Sequence, residues 1–257
     1  TKQFAVPRGG RTVAVLNVER VELGGDLAIA AHELPAGVSA NAQLVRDGKG
    51  QPLLLLEAAP DAPLGHAAVD LALVAPGDGG ARRGGLREAL ELVLGRNNVP
   101  LWAHTMERLT VAVTEAAPFA VNLDTPGVPL VQSGKITVTA RVTRAEGYAG
   151  KLSVGLLGLP PGVRGPSAVQ LAEGADAAEF LLEAAGDARL GAWDLAAFAD
   201  APVDGVMVRV ASALAPVNVA APFLTATSRP SAVEREGATV LQVELTRAEG
   251  APAVAPV

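Results

Sequence analysis

The sequence has no cysteine, only 3% aromatic residues and just three histidines. Without cysteine there are no disulfides, no thiol chemistry and no Cys-ligated zinc or iron–sulfur site. Two Trp, one Tyr and five Phe cannot fill the interior of 257 residues, so any core has to be built from Ala, Val and Leu. No apolar run reaches the roughly 18 residues that suggest a membrane-spanning helix. No secretory leader is visible at Thr1. Phe4-Ala5-Val6-Pro7 already reads as a strand, so the start is expected to be a processed or excised end. Positive charge is also scarce: 21 Lys and Arg against 27 Asp and Glu give a net charge of −6. That balance excludes an ordinary nucleic-acid binder, which needs a basic face, and argues against attraction to an anionic membrane surface.

What the chain does have is 28 Gly, 19 Pro and internal repetition. Ala-Ala-Pro-Phe occurs at 116–119 and at 220–223, and Leu34-Pro35-Ala36-Gly37-Val38 returns as Leu159-Pro160-Pro161-Gly162-Val163. Leu55-Leu56-Glu57-Ala58-Ala59 returns as Leu181-Leu182-Glu183-Ala184-Ala185, and Thr143-Arg144-Ala145-Glu146-Gly147 returns at 246–250. Similarity at a fixed period is the signature of tandem modules. Aligning Gly10, Gly134 and Gly237 makes the first module longer by 21 residues, which fall between about Asp78 and Glu107. The expected division is module one at 1–117, module two at 118–221, and the opening strands of an incomplete third module at 222–257.

Each module reads as short strands. In Lys135–Val142, Ile136, Val138, Ala140 and Val142 lie on one face, with Thr137, Thr139 and Arg141 on the other. Arg11–Val18 alternates too, with Val13, Val15 and, less cleanly, Asn17 on one face and Ala14, Leu16 and Val18 on the other. Period-two alternation with β-branched residues predicts half-buried strands. Leu152–Leu157 is expected to pair with Lys135–Val142 as a hairpin. About seven strands with turns every 8–12 residues predict an all-β chain of tandem immunoglobulin-like β-sandwiches. The surplus of module one reads differently. Leu86, Leu90, Val93 and Leu94 fall at i, i+4, i+7 and i+8, which predicts a helix of about ten residues, ended by Gly95, Asn97-Asn98 and Pro100. A short helical insert at 78–107 is therefore expected in the first sandwich.

No catalytic constellation emerges. His32, His66 and His104 have no metal-binding spacing, and a solvated turn explains His66. Asp61 and Asp187 each precede a Leu-Gly pair, where capping a turn explains a carboxylate without acid–base or calcium chemistry. There is no G-x-S-x-G elbow and no P-loop. An enzyme is therefore not expected, nor is any cofactor. Arg82, Arg83, Arg87 and Arg96 give the insert a positive cluster on an acidic chain. With Trp102 they are the candidate partner contacts. Trp102, Trp193 and Tyr148 are the aromatics able to stack on a sugar. In the tail, Thr239, Val240, Leu241, Val243 and Leu245 form a candidate strand for pairing with an exposed edge.

The string Val142-x-Arg144-x-x-Gly147-Tyr148-x-Gly150-x-Leu152, followed by Gly158-Leu159-Pro160-Pro161-Gly162-Val163, resembles the immunoglobulin-like repeats of large secreted proteins from planctomycete-type bacteria. Such modules occur there beside pre-peptidase C-terminal-type domains. Module one departs from the pattern, with Glu22-Leu23-Gly24-Gly25 in place of the Gly-Tyr turn. The resemblance implies an exported, non-enzymatic module and carries over no catalytic residue. The expected function is that of an extracytoplasmic structural or assembly module of a surface or secreted protein. Its partners would be other protein chains, including copies of itself. The alternatives are a carbohydrate-binding or accessory domain of a larger exported enzyme, and an accessory subunit docked through the insert.

Overall fold

A computed structural model describes residues 3–20, 22, 24–45, 51–75, 81–228 and 243–247. Among them the chain is nearly all strand, and the one helical element is a single 3-10 turn at Arg96–Asn98. The strands are β1 (Gln3–Pro7), β2 (Arg11–Val15), β3 (Ala28–His32), β4 (Val38–Ala42), β5 (Leu53–Ala58), β6 (Gly65–Val74), β7 (Arg82–Gly85), β8 (Glu88–Leu94), β9 (Pro100–Met106) and β10 (Arg108–Thr114). They continue as β11 (Phe119–Leu123), β12 (Leu130–Val131), β13 (Lys135–Arg144), β14 (Leu152–Leu157), β15 (Val163–Arg164), β16 (Val169–Leu171), β17 (Ala177–Ala184), β18 (Gly191–Val203), β19 (Val206–Ala211) and β20 (Ala215–Ala220). The described chain closes with β21 (Leu224–Ser228) and β22 (Val243–Arg247).

Two sandwiches result. In residues 119–220 one sheet runs β11-β13-β17-β15 and the other β12-β20-β18-β14-β16. These are the A-B-E-D and C-F-G sheets of an immunoglobulin-like fold, with β12 laid parallel to the closing strand β20. In residues 3–114 one sheet runs β2-β5-β4 and the other β1-β10-β6-β3, with β1 parallel to the closing strand β10. Each sandwich has its own interior. One is built around Val6, Leu54, Leu56, Val69 and Val111, the other around Leu130, Leu152, Phe180, Leu182 and Leu195. Aliphatic side chains supply nearly all of both, as the shortage of aromatics requires.

The Leu-Pro-x-Gly-Val motif is a turn pressed onto the end of the following strand pair. Val38 N–H donates to the Pro35 carbonyl and Ala59 N–H to the Gly37 carbonyl; in the second sandwich Val163 donates to Pro160 and Ala185 to Gly162. Gly37 and Gly162 have φ of +75° and +83°, and a Cβ on either would lie 2.8 Å from Ala62 Cβ or 2.7 Å from Ala188 Cα. Left-handed backbone at close approach leaves room only for glycine. Asp61 and Asp187 lie in the facing turns, 59–62 and 185–188, against which these glycines press.

Two sequence expectations are corrected. Lys135–Arg144 and Leu152–Leu157 do not form a hairpin. β13 pairs β11 and β17, while β14 pairs β16 and β18 in the opposite sheet. The segment between them crosses the sandwich, because each strand buries one face against the other sheet. Nor is the insert helical. Leu86, Leu90, Val93 and Leu94 do not make a helical stripe, because residues 82–106 form β7, β8 and β9. Leu86 packs on the first core while Val93 and Leu94 are exposed. With no second layer to receive a helical face, cross-strand pairing of β8 with β9 prevails.

The two sandwiches meet at a third apolar cluster. Leu53, Leu55 and Val13, on the outward face of β2-β5-β4, pack against Ala196 and Ala211 with Leu157 and Leu214 alongside. This explains the uninterrupted burial of Leu53–Leu56. Even-numbered residues face the first core and odd-numbered ones the second sandwich, so the strand is apolar on both sides.

Candidate functional site

The connection from β6 to β10 joins the F and G strands of the first sandwich. In the second sandwich the corresponding connection is a plain continuation: β18 runs back as β19, breaks at Ser212–Leu214 and resumes as β20. In the first it carries a separate two-stranded ribbon. Glu88 pairs with Met106, Leu90 with His104, Glu91 with Ala103 and Val93 with Trp102, with register shifts after Glu91 and Val93. Neither strand has a further partner among the described residues. The turn is Gly95-Arg96-Asn97-Asn98, where Asn97 and Asn98 have φ of +59° and +56°. Asparagine tolerates this left-handed geometry better than most residues.

The ribbon stands out from the sandwich with its apolar side chains uncovered. Leu92, Val93, Leu94, Val99, Leu101 and Trp102 are all exposed, Trp102 at 65% and Leu101 at 71%. From Leu92 to Met106 the sequence has one formal charge, Arg96, and no carboxylate. A cluster of exposed large apolar residues on one projecting element marks an interaction surface.

The arginines singled out from sequence do not gather into one patch. Arg82, on β7, donates to both carboxylate oxygens of Asp70 at 2.8 and 3.1 Å. Asp70 is held below its ordinary 3.8, first by that hydrogen bond, against burial, and then by the charges of Arg82, Arg108 and His32. Arg83 is exposed on the same strand, and Arg87 sits at the root of the ribbon. Arg96 is at its tip, roughly 20 Å away by the rise of a seven-residue strand. Arg108, at the root of β10, pairs with Glu33 and donates to the Ala68 carbonyl at 3.1 Å.

The other aromatics are packed. Tyr148 stacks on Phe119 with ring centroids 5.6 Å apart. Trp193 donates to the Arg189 carbonyl at 3.2 Å beneath the Arg189 guanidinium. Of the three aromatics proposed for stacking, Trp102 alone presents an open ring. Of the tail residues, Val243 and Leu245 lie in β22, opposite Ser228 and Ala226, and are exposed. Thr239, Val240 and Leu241 lie outside the described residues. The histidines are spread over three strands: His32 opposite Asp70, His66 opposite Ala112 and His104 opposite Leu90. The helical period of Leu86, Leu90, Val93 and Leu94 hides the ribbon, whose signal in the sequence is Val99-Pro100-Leu101-Trp102, a β-type run beyond the Asn-Asn turn.

No protein-family model and no curated protein matches the chain. Among solved structures, the D0-D1 domain of intimin aligns at a TM-score of 0.28 and 13% identity, covering 83% of this chain and 94% of that one. A protein of unknown function from Porphyromonas gingivalis W83 aligns at 0.28 and 16%, covering 85% and 94%. The fibronectin(III)-like modules of Clostridium thermocellum CbhA align at 0.25 and 14%, covering 86% and 88%. Values this low say nothing of activity or partner, and the fold assignment rests on the strand order of the chain itself.

Proposed function

We propose that the chain is a non-enzymatic structural or assembly module of a surface or secreted protein. Its immunoglobulin-like units would be tandem copies, bounded near 117 and 221, acting outside the cytoplasm through protein–protein contact. The observation that carries this reading is the ribbon at 88–106, an F–G connection lengthened into an apolar, nearly uncharged projection. Immunoglobulin-type sandwiches present the F–G loop at one end of a rigid scaffold, where lengthening it alters recognition without disturbing the core. A solvated loop would be polar. Six exposed large apolar residues gathered on one projecting element are the mark of a surface that meets a partner.

The test replaces residues 88–106 with an Asn-Gly turn. Both proteins are cross-linked in the host that makes them, and the cross-linked peptides are identified by mass spectrometry. Cross-links from the ribbon strands to another polypeptide, lost in the shortened protein whose remaining structure is intact, are the expected result. A wild-type ribbon that yields no cross-link to any polypeptide refutes the reading.

A second reading, carbohydrate binding, rests on the open ring of Trp102, which stands beside His104 on β9 with no second aromatic as a platform. A glycan array on which Trp102→Ala loses binding would favour it over protein contact.

A further inference from the structure

The two edges of the ribbon are chemically unlike. β8 carries Glu88 and Glu91. β9, Pro-Leu-Trp-Ala-His-Thr-Met, carries no Lys, Arg, Asp or Glu. Edge strands of stable monomers are guarded by charge, by bulges or by cover from another element, because an open edge is a template for pairing. β9 has neither charge nor cover over Trp102–Met106: it is exposed almost throughout, and its protections are Pro100 and the ribbon's two register shifts, one opposite Ala103/Trp102 and one at Leu101. An uncharged, exposed strand paired on one edge only is open to strand addition on the other.

We infer that β9 pairs with β9 of a second copy of this chain, antiparallel about a twofold axis through Ala103. This gives the proposed protein-contact function one partner, and it rests on that reading. The register that uses all seven residues sets Ala103 against itself. It also sets Trp102 against the partner's His104 and Leu101 against the partner's Thr105, two favourable cross-strand pairs with no like charges opposed. The result is a four-stranded sheet with β8 at each outer edge. Growth stops there. Pairing through β8 in the same way would set Glu91 against Glu91, and opposed like charges destabilise a strand pair. The contact is isologous, so it closes at two copies. Charge agrees. The chain as a whole is acidic, and past Glu91 the ribbon carries no carboxylate, so two copies meet through β9 without opposing negative charges. A lipid bilayer fits less well. The deepest point of an inserted ribbon would be Arg96-Asn97-Asn98, the polar turn, and unpaired strand edges are not tolerated in hydrocarbon.

The test is the mass of the chain by light scattering across a concentration series. The expected mass rises from 26.0 kDa towards twice that value. Ala103→Lys, which puts two ammonium groups on the axis, should hold the mass at one chain, and Glu91→Lys on the other edge should leave the dimer intact. Because the native sequence has no cysteine, Ala103→Cys should oxidise to a covalent dimer, whereas Glu91→Cys should not. A mass of one chain at every concentration overturns the proposal. So does a dimer indifferent to Ala103→Lys, or one lost equally with Glu91→Lys. Flotation of a single-chain species with phosphatidylcholine vesicles, abolished by Trp102→Ser, would place the ribbon on a bilayer and overturn it too. A chain that stays single yet cross-links through the ribbon to a different protein refutes self-pairing and leaves the protein-contact function standing.

Discussion

Gln43 of the first sandwich reaches across the seam and donates from Nε2 to the backbone carbonyl of Asp194 in the second at 2.8 Å. Its Oε1 meanwhile accepts from the Leu53 N–H at 3.0 Å. One side chain thus ties β5 to β18 at the place where Leu53 is fully buried between them. A short polar bridge beside an apolar cluster fixes orientation as well as proximity. The two units are therefore a joined pair rather than beads on a flexible linker, and the ribbon projects from a scaffold of fixed geometry.

The first prediction concerns this seam. Leu53→Ala should destabilise the protein by about 2–5 kcal/mol, the range for emptying a fully buried leucine site. Gln43→Ala should cost less, about 1 kcal/mol for each hydrogen bond removed. Leu53→Asp buries a carboxylate without a partner. It should separate the sandwiches rather than unfold both, so calorimetry should show two transitions where the native protein shows one. A single unshifted transition in Leu53→Asp would mean that the seam contributes nothing to cooperativity.

The second compares two glycines in similar backbone conformations. Gly158 has φ of +81°, and a Cβ there would lie 2.7 Å from the Asp194 carbonyl oxygen and 2.8 Å from Leu53 Cδ1. Gly174 has φ of +74° with nothing within 4 Å. Gly174→Ala should cost only the left-handed strain, about 1–2 kcal/mol, and Gly158→Ala distinctly more because it also wedges the seam. Urea unfolding of the two variants measures the difference. Equal losses would show that the seam yields freely at that point.

A third follows from Asp70. Its pKa in the folded protein lies below 3.8, chiefly through the hydrogen bond from Arg82. A carboxyl with a lowered folded pKa binds its proton less readily when folded, so its stabilising effect is present above the unfolded value and is lost as pH falls through the folded one. Asp70→Asn should therefore be less stable than the native protein at neutral pH, and the gap should close as pH drops below 3.8. The comparison needs denaturant curves at both pH values. A gap independent of pH would mean that the ion pair of Asp70 with Arg82 is not its source.

How much of this was legible in the sequence depended on whether a residue's environment is local. The alternation at Lys135–Val142 located β13, since one face meets the core and the other meets water. The Leu-Pro-x-Gly-Val turns were legible as reversals because Gly and Pro act through their own backbone. The pairing of β13 was not legible, because the choice between a hairpin and a crossing to the opposite sheet is made by tertiary packing. Thr12-Val13-Ala14 is buried on both faces where alternation predicts a half-buried strand, for a reason visible only in three dimensions: the seam covers the face that would otherwise meet solvent. The insert misled because Leu86, Leu90, Val93 and Leu94 fit a helical period, which acts only if a layer exists to receive the stripe. Trp102 was named as a candidate contact, yet its exposure could not be read from a sequence in which burial is the usual fate of tryptophan.

The last prediction separates surface from interior on the same chain. Phe180 is completely buried in the second core, and Phe180→Ala should cost about 3–5 kcal/mol. Trp102 has a larger side chain, but it is 65% exposed on a ribbon that supports no core. Trp102→Ala should shift stability by no more than about 0.5 kcal/mol, the range for surface positions without special contacts. The same exposure can be read optically. With two tryptophans in the chain, a neutral quencher such as acrylamide should reach Trp102 readily and Trp193 less so, since Trp193 is half-buried against Arg189. The Trp102→Phe protein should therefore show weaker quenching and a shorter emission wavelength than Trp193→Phe. In a dimer joined through β9 the Trp102 signal should become concentration-dependent, shielded at high protein concentration and open on dilution. Stability that collapses in Trp102→Ala would instead mean that the ribbon folds back onto its own sandwich and is not free to meet a partner.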